Sequence, residues 1–216
     1  MWSPHFISTG RLGGLVLIAL IATGGCASGP KPAQDAAAEG PGGQPGATRV
    51  VPAEAQTLYE QAVAAMAAGD SIDAELRFQE FLLRFPDYPG AHVNLAIIFT
   101  DRNDFIAAEN SLTDALIIDP GYPPALNQPG VVLRRQGKFS EAESAYLKAV
   151  TADPDYGLAH YNLGVLNDLY LQRLDVALTH YERYQALSGD DPQVTRWIAD
   201  LRRRIDAEPR AANVTE

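Results

Sequence analysis

The chain has 216 residues, 46% of them hydrophobic and 20% charged, a balance that supports one or two folded domains. Its formal net charge is −10 and its pI about 4.8, which argues against a nucleic-acid partner and against electrostatic docking on anionic lipid. The one cysteine, Cys26, excludes an intrachain disulfide and a multi-cysteine metal site.

The first predicted element is an address. Arg11 precedes an apolar run from Leu12 to Ala22. That run is too short for a spanning helix, which needs about 20 apolar residues, and has the length of a signal-peptide core. Thr23-Gly24-Gly25-Cys26 follows. This ending resembles a bacterial lipobox, with Thr23 where leucine is usual. The resemblance implies that residues 1–25 are a signal peptide and that Cys26 becomes an acylated N-terminus. Two or more acyl chains make a stable anchor where one does not. The competing reading is an ordinary secretory signal cut nearby, with Cys26 incidental. No aspartate follows the cysteine (Ala27, Ser28), which by resemblance to lipoprotein sorting signals favours the outer membrane, facing the periplasm. After Cys26, residues 27–52 hold five Gly, five Pro and no aromatic residue. Such a composition does not offset its ordering entropy, so 26–52 reads as a disordered tether.

The remainder is periodic. Ala74, Ala108 and Ala142 are 34 residues apart, as are Pro86, Pro120 and Pro154. Five residues before each alanine stand Gly69, Asn103 and Gly137, residue types suited to positive φ. This Gly…Ala…Pro pattern resembles the tetratricopeptide repeat, a helix–turn–helix unit. A fourth copy shows Tyr161-Asn162-Leu163-Gly164, but its alanine, Ala177, comes 35 after Ala142. The extra residue is expected in the turn near Leu171–Leu174. The resemblance implies an all-α solenoid over residues 53–188, with repeats at about 55–88, 89–122, 123–156 and 157–188. Gly189 suits a helix stop, and Asp191-Pro192 suits a helix start. A capping helix is therefore expected within 189–208, most of it at 192–206, with Val194, Trp197, Ile198, Leu201 and Ile205 on one stripe. Arg202, Arg203 and Arg204 are expected at its C-terminal end, where the macrodipole favours cations. Residues 209–216 read as a frayed tail.

Within each repeat the expected chemistry is packing. Ala62, Ala96, Gly130 and Gly164 on the first helix, like Ala74, Ala108, Ala142 and Ala177 on the second, let the two approach closely, and Phe78, Leu112, Tyr146 and Tyr181 are the large side chains of the second helix. Pro129 falls inside the third repeat's first helix, where Leu95 and Leu163 stand in the neighbours. It removes a donor and collides with the carbonyl of Ala125, so a kink is expected.

No catalytic pattern emerges: HExxH, P-loop and GxSxG are all missing. His92 and His160 occupy equivalent slots and read as packing residues, and no metal or cofactor is expected. The chain is read as a non-enzyme. By the family resemblance, the first helices line a concave groove that binds a peptide or protein. Carried over, that groove is Tyr59, Val63 and Met66; Val93, Ile97 and Thr100; Asn127, Val131 and Arg134; and Tyr161, Val165 and Asp168. The alternative for each is core between helices. The carboxylate clamp of chaperone-binding members is not expected. Asn94 matches it, but Tyr59, Val63, Pro124 and Gln128 are not basic. The expected function is a lipid-anchored envelope scaffold that binds a protein or peptide, in secretin, pilus or outer-membrane assembly. An adaptor for cell-wall hydrolases or an accessory subunit of a periplasmic enzyme is the alternative. Self-association into a homo-oligomer stays open.

Overall fold

The computed structural model describes residues 51–212, with side chains as far as residue 207. The expected signal peptide, Cys26, the tether up to residue 50 and the last four residues lie outside the described residues. Nine α-helices and no strand are present among those described. They are α1 (Ala53–Ala67), α2 (Ser71–Arg84), α3 (Pro89–Asp101), α4 (Phe105–Ile118), α5 (Pro123–Arg135), α6 (Phe139–Ala152), α7 (Gly157–Leu166), α8 (Leu174–Ser188) and α9 (Pro192–Ala212). A π-helical turn, Asn167–Leu171, extends α7. The first eight helices form four hairpins, and each helix packs on its sequence neighbours, as a solenoid of repeats requires.

The 34-residue period works through the turns. Gly69, Asn103 and Gly137 all take positive φ, at 79°, 60° and 76°. The N–H after each reaches back five residues: Asp70 to Ala65, Asp104 to Phe99 and Lys138 to Leu133. That bond closes the helix end and aims the chain into the second helix. Asp70 and Asp104 then cap α2 and α4, accepting from the N–H of Asp73 (3.0 Å) and Ala107 (3.1 Å). Lys138 and Arg173 hold the same slot and provide no side-chain cap.

The fourth repeat takes its extra residue earlier than expected. Gln172, five before Ala177, keeps the left-handed turn at φ 53°. The N–H of Arg173 reaches back six residues, to Asn167, instead of five. The added residue is thus absorbed inside the first helix, as the π turn, and the turn itself keeps its register. A buried Asn167 amide donates to the Leu163 carbonyl at 2.9 Å within this distorted stretch.

No repeat closes its own core. Tyr59, Phe78 and Phe81 from the first repeat pack with Tyr88, Leu95 and Ile98 of the second. Val131 and Tyr146 of the third pack with Leu163 and Leu166 of the fourth. The last repeat has no successor, so α9 supplies Val194, Ile198 and Leu201 to its core. Asp191 caps that helix, accepting from the N–H of Gln193 at 2.8 Å. Two expectations for α9 are corrected. It runs to Ala212, not to 206, so Arg202, Arg203 and Arg204 do not lie at its C-terminal end. Each instead meets a carboxylate: Glu182 (2.7 Å), Asp200 (2.9 Å) and Asp168 (2.7 Å).

Candidate partner-binding surface

The groove positions inferred from the repeat pattern all lie on the first helix of each hairpin or its extension. Val63, Met66 and Arg134 keep partial exposure. The other nine are buried. Val93 and Ile97 pack with Leu112, Tyr122 and Val132. Tyr161 and Val165 lie under α9 against Val194 and Ile198, and Asp168 is covered by its ion pair with Arg204. Their burial follows from the next repeat or the capping helix.

Beneath these positions, three slots of each repeat change together. A methyl group on Gly130 would sit closer than 3.0 Å to the Tyr146 ring, and one on Gly164 equally close to the Tyr181 ring. The alanines, Ala62 and Ala96, occur where the large residue opposite is Phe78 or Leu112. The slot one turn further along is Met66 or Thr100 in those repeats. It becomes Arg134 and Asp168 where the ring is tyrosine. In the third repeat the hydroxyl meets the charge, since Arg134 Nε donates to Tyr146 Oη at 3.3 Å; in the fourth, Asp168 pairs with Arg204 of the capping helix. Tyr181 is buried with its hydroxyl unbonded, and burial, reinforced by Asp168, raises its pKa.

A second periodic set joins the repeats. Asn94 Nδ2 donates to Tyr59 Oη at 2.8 Å, and Asn162 Nδ2 donates to Asn127 Oδ1 at 3.2 Å. The equivalent pair at the middle joint is Gln128 and Val93. Valine offers no acceptor, and Gln128 Nε2 is buried without a partner. Sequence reading missed this set. Its signal was present in Asn94, Gln128 and Asn162, spaced by 34. It likewise missed Tyr88, Tyr122 and Tyr156, which precede α3, α5 and α7 at the same spacing.

The histidines are not merely packing residues. His160 Nε2 bonds the Pro154 carbonyl at 3.1 Å, so its Nδ1 is free to accept from His180 Nδ1 at 3.0 Å. Burial, with the neighbouring His160, pushes the His180 pKa down to about 4, against a smaller opposing pull from Glu143. Burial also lowers His92, partly offset by Asp114. Among the described residues, no three His, Cys, Asp or Glu side chains group closely enough to hold a metal ion.

Comparison with known proteins bears on this framework. A family model described as tetratricopeptide repeat matches residues 53–123 and 130–192. The gap between the two stretches falls in α5 and ends at Pro129. No curated protein sequence matches the chain. Among solved structures, TTC0263, a thermophilic TPR protein in Thermus thermophilus, is similar at TM-score 0.62 and 23% identity, over 69% of this chain and 82% of that one. PilF from Pseudomonas aeruginosa is similar at TM-score 0.61 and 23% identity, over 70% and 69%. PilW, a widely conserved type IV pilus biogenesis factor, is similar at TM-score 0.59 and 22% identity, over 70% of each chain. At these identities the likeness is one of fold.

Proposed function

Because the chain belongs to the tetratricopeptide-repeat family, we propose that it is a non-enzymatic scaffold held at the bacterial outer membrane by lipid on Cys26, recruiting a protein partner in the periplasm. Stacked repeats of this kind bind protein partners through side chains on a rigid frame. One observation carries the anchoring: the single cysteine of the chain closes a short apolar run and is followed by a Gly/Pro-rich stretch leading into the repeats. The likeness to PilF and to PilW, a pilus biogenesis factor, supports an assembly role in a pilus, secretin or related outer-membrane complex. On this reading the partner engages the first-helix face, where Val63, Met66 and Arg134 keep exposed surface.

Membrane fractionation tests the anchor. Cys26→Ser is expected to stop maturation or to move the protein out of the membrane fraction. A variant that matures and stays membrane-bound as before refutes the lipid anchor. Cross-linking in intact envelopes, followed by detergent extraction, tests the scaffold role, and the absence of any cross-linked protein refutes it.

A further inference from the structure

Among the described residues, eleven arginine side chains are present, and nine lie within 4.0 Å of a carboxylate. The two exceptions are Arg196, which is exposed, and Arg134, which is partly buried. The carboxylates of the adjoining helices are already committed: Asp101 to Arg135, Glu143 to Arg173 and Asp168 to Arg204. In a chain of net charge −10, the described residues thus include one half-enclosed guanidinium without a carboxylate within 4.0 Å.

Its surroundings are aromatic. Arg134 Nε donates to Tyr146 Oη, and the guanidinium carbon lies 6.0 Å from the centre of the Tyr170 ring. Tyr170 in turn packs on Phe139, with ring centres 4.7 Å apart. The rings hold the cation in place and limit its hydration, which strengthens any ion pair it forms. Tyr170 is 41% exposed, and its chain neighbour Leu169 is 40% exposed. Both stand on the π turn, where the fourth repeat's first helix departs from its siblings. Distortions of this kind recur at functional sites, and arginine and tyrosine are over-represented among the residues that dominate protein interfaces.

We propose that Arg134, Tyr170 and Leu169 form a docking site for an acidic side chain flanked by an apolar residue, presented by an extended segment of a protein partner. The carboxylate takes the N–H donors of Arg134 not used by Tyr146 or Tyr170, and the apolar neighbour lies on Leu169 and the Tyr170 ring. The guanidinium fork matches a carboxylate in two-pronged fashion. The site is distinct from capture of a chain terminus, since it needs an internal Asp or Glu. It rests on the scaffold reading only in taking a protein as ligand.

The test is a selection of displayed random peptides on the whole chain in mild detergent, with counter-selection on Arg134→Gln. Enriched peptides are expected to carry Asp or Glu beside an aliphatic or aromatic residue. By fluorescence anisotropy their affinity should fall at least tenfold with Arg134→Gln and at least threefold with Tyr170→Ala. Changing the peptide's Glu to Gln should cause the same tenfold loss, and this arm is untouched by any folding defect in the protein. Amidating the peptide's C-terminus should have no effect. Binders that lack an acidic residue, ignore Arg134→Gln or need a free C-terminus overturn the proposal, as does a selection that returns none. The scaffold reading falls separately, on envelope cross-linking alone.

Discussion

Gly130 has no room for a methyl group, because the Tyr146 ring lies over its Cα. Gly130→Ala should therefore destabilise the fold by about 1–3 kcal/mol, the usual range for overpacking. Adding Tyr146→Leu should recover part of that loss, because Leu112 already sits opposite Ala96 in the second repeat. Urea unfolding of the single and double variants measures both effects. Pro129, its neighbour, is partly exposed, and α5 continues through it from Pro123 to Arg135. Leu95 and Leu163 fill the same slot and are buried. Restoring the missing donor and the apolar side chain with Pro129→Leu should raise stability by about 1–3 kcal/mol. Thermal unfolding decides it, and an unchanged midpoint would mean that the helix has adapted around its proline. These small-residue positions were legible in the sequence because they recur at a fixed spacing. The link between a tyrosine and the charge one turn away was not, because it depends on where a hydroxyl ends after two helices have packed.

At the scale of the element, the joints between repeats differ. The first and last of the four-repeat array are pinned by buried side-chain hydrogen bonds, Asn94 to Tyr59 and Asn162 to Asn127. The middle joint lacks one, since Val93 faces Gln128. It is held instead at its rim, where Arg135 donates to the Thr100 carbonyl at 2.8 Å and pairs with Asp101 at 2.6 Å. An unpartnered buried amide costs about 1–3 kcal/mol of desolvation, so this joint carries a penalty the others avoid. The four hairpins with a capping helix followed from periodicity, and the Asp191 cap from turn chemistry. The length of α9 did not, because its arginines end a helix as readily as they continue one; only their partners Glu182, Asp200 and Asp168 decide.

Across the whole molecule, repeat phase told which residues face inward from each first helix, but not which of them stay open. Ile97 and Val131 illustrate the difference: both fit the groove pattern, and both are buried by neighbouring helices. Stability should also carry a histidine signature. The His180 pKa in the folded chain is about 4, below the ordinary histidine value of 6.5 in an unfolded one. The unfolded state therefore binds a proton first as the pH drops. The stability that neutral His180 contributes is complete above pH about 6.5 and is lost as the pH falls towards 4. His92, lowered in the same direction, adds to the loss. Urea midpoints taken between pH 7 and 4 should show a slope that His180→Gln reduces, by on the order of 1–2 kcal/mol after allowance for solvent screening. A slope identical in the two proteins would mean that His180 titrates alike in the folded and unfolded chain. The π turn has a consequence of another kind. One residue added to a regular helix rotates everything beyond it by about 100°, which in an array of duplicated units would misalign every later copy. Here the π turn takes up the residue before α8 begins, and Gln172 keeps the left-handed turn at a cost near 1 kcal/mol. A 35-residue spacing is thus accommodated among 34-residue ones without disturbing the neighbouring repeats. The fourth repeat can therefore carry Leu169 and Tyr170 on its π turn, while Ala177 and Tyr181 keep the seats of Ala142 and Tyr146.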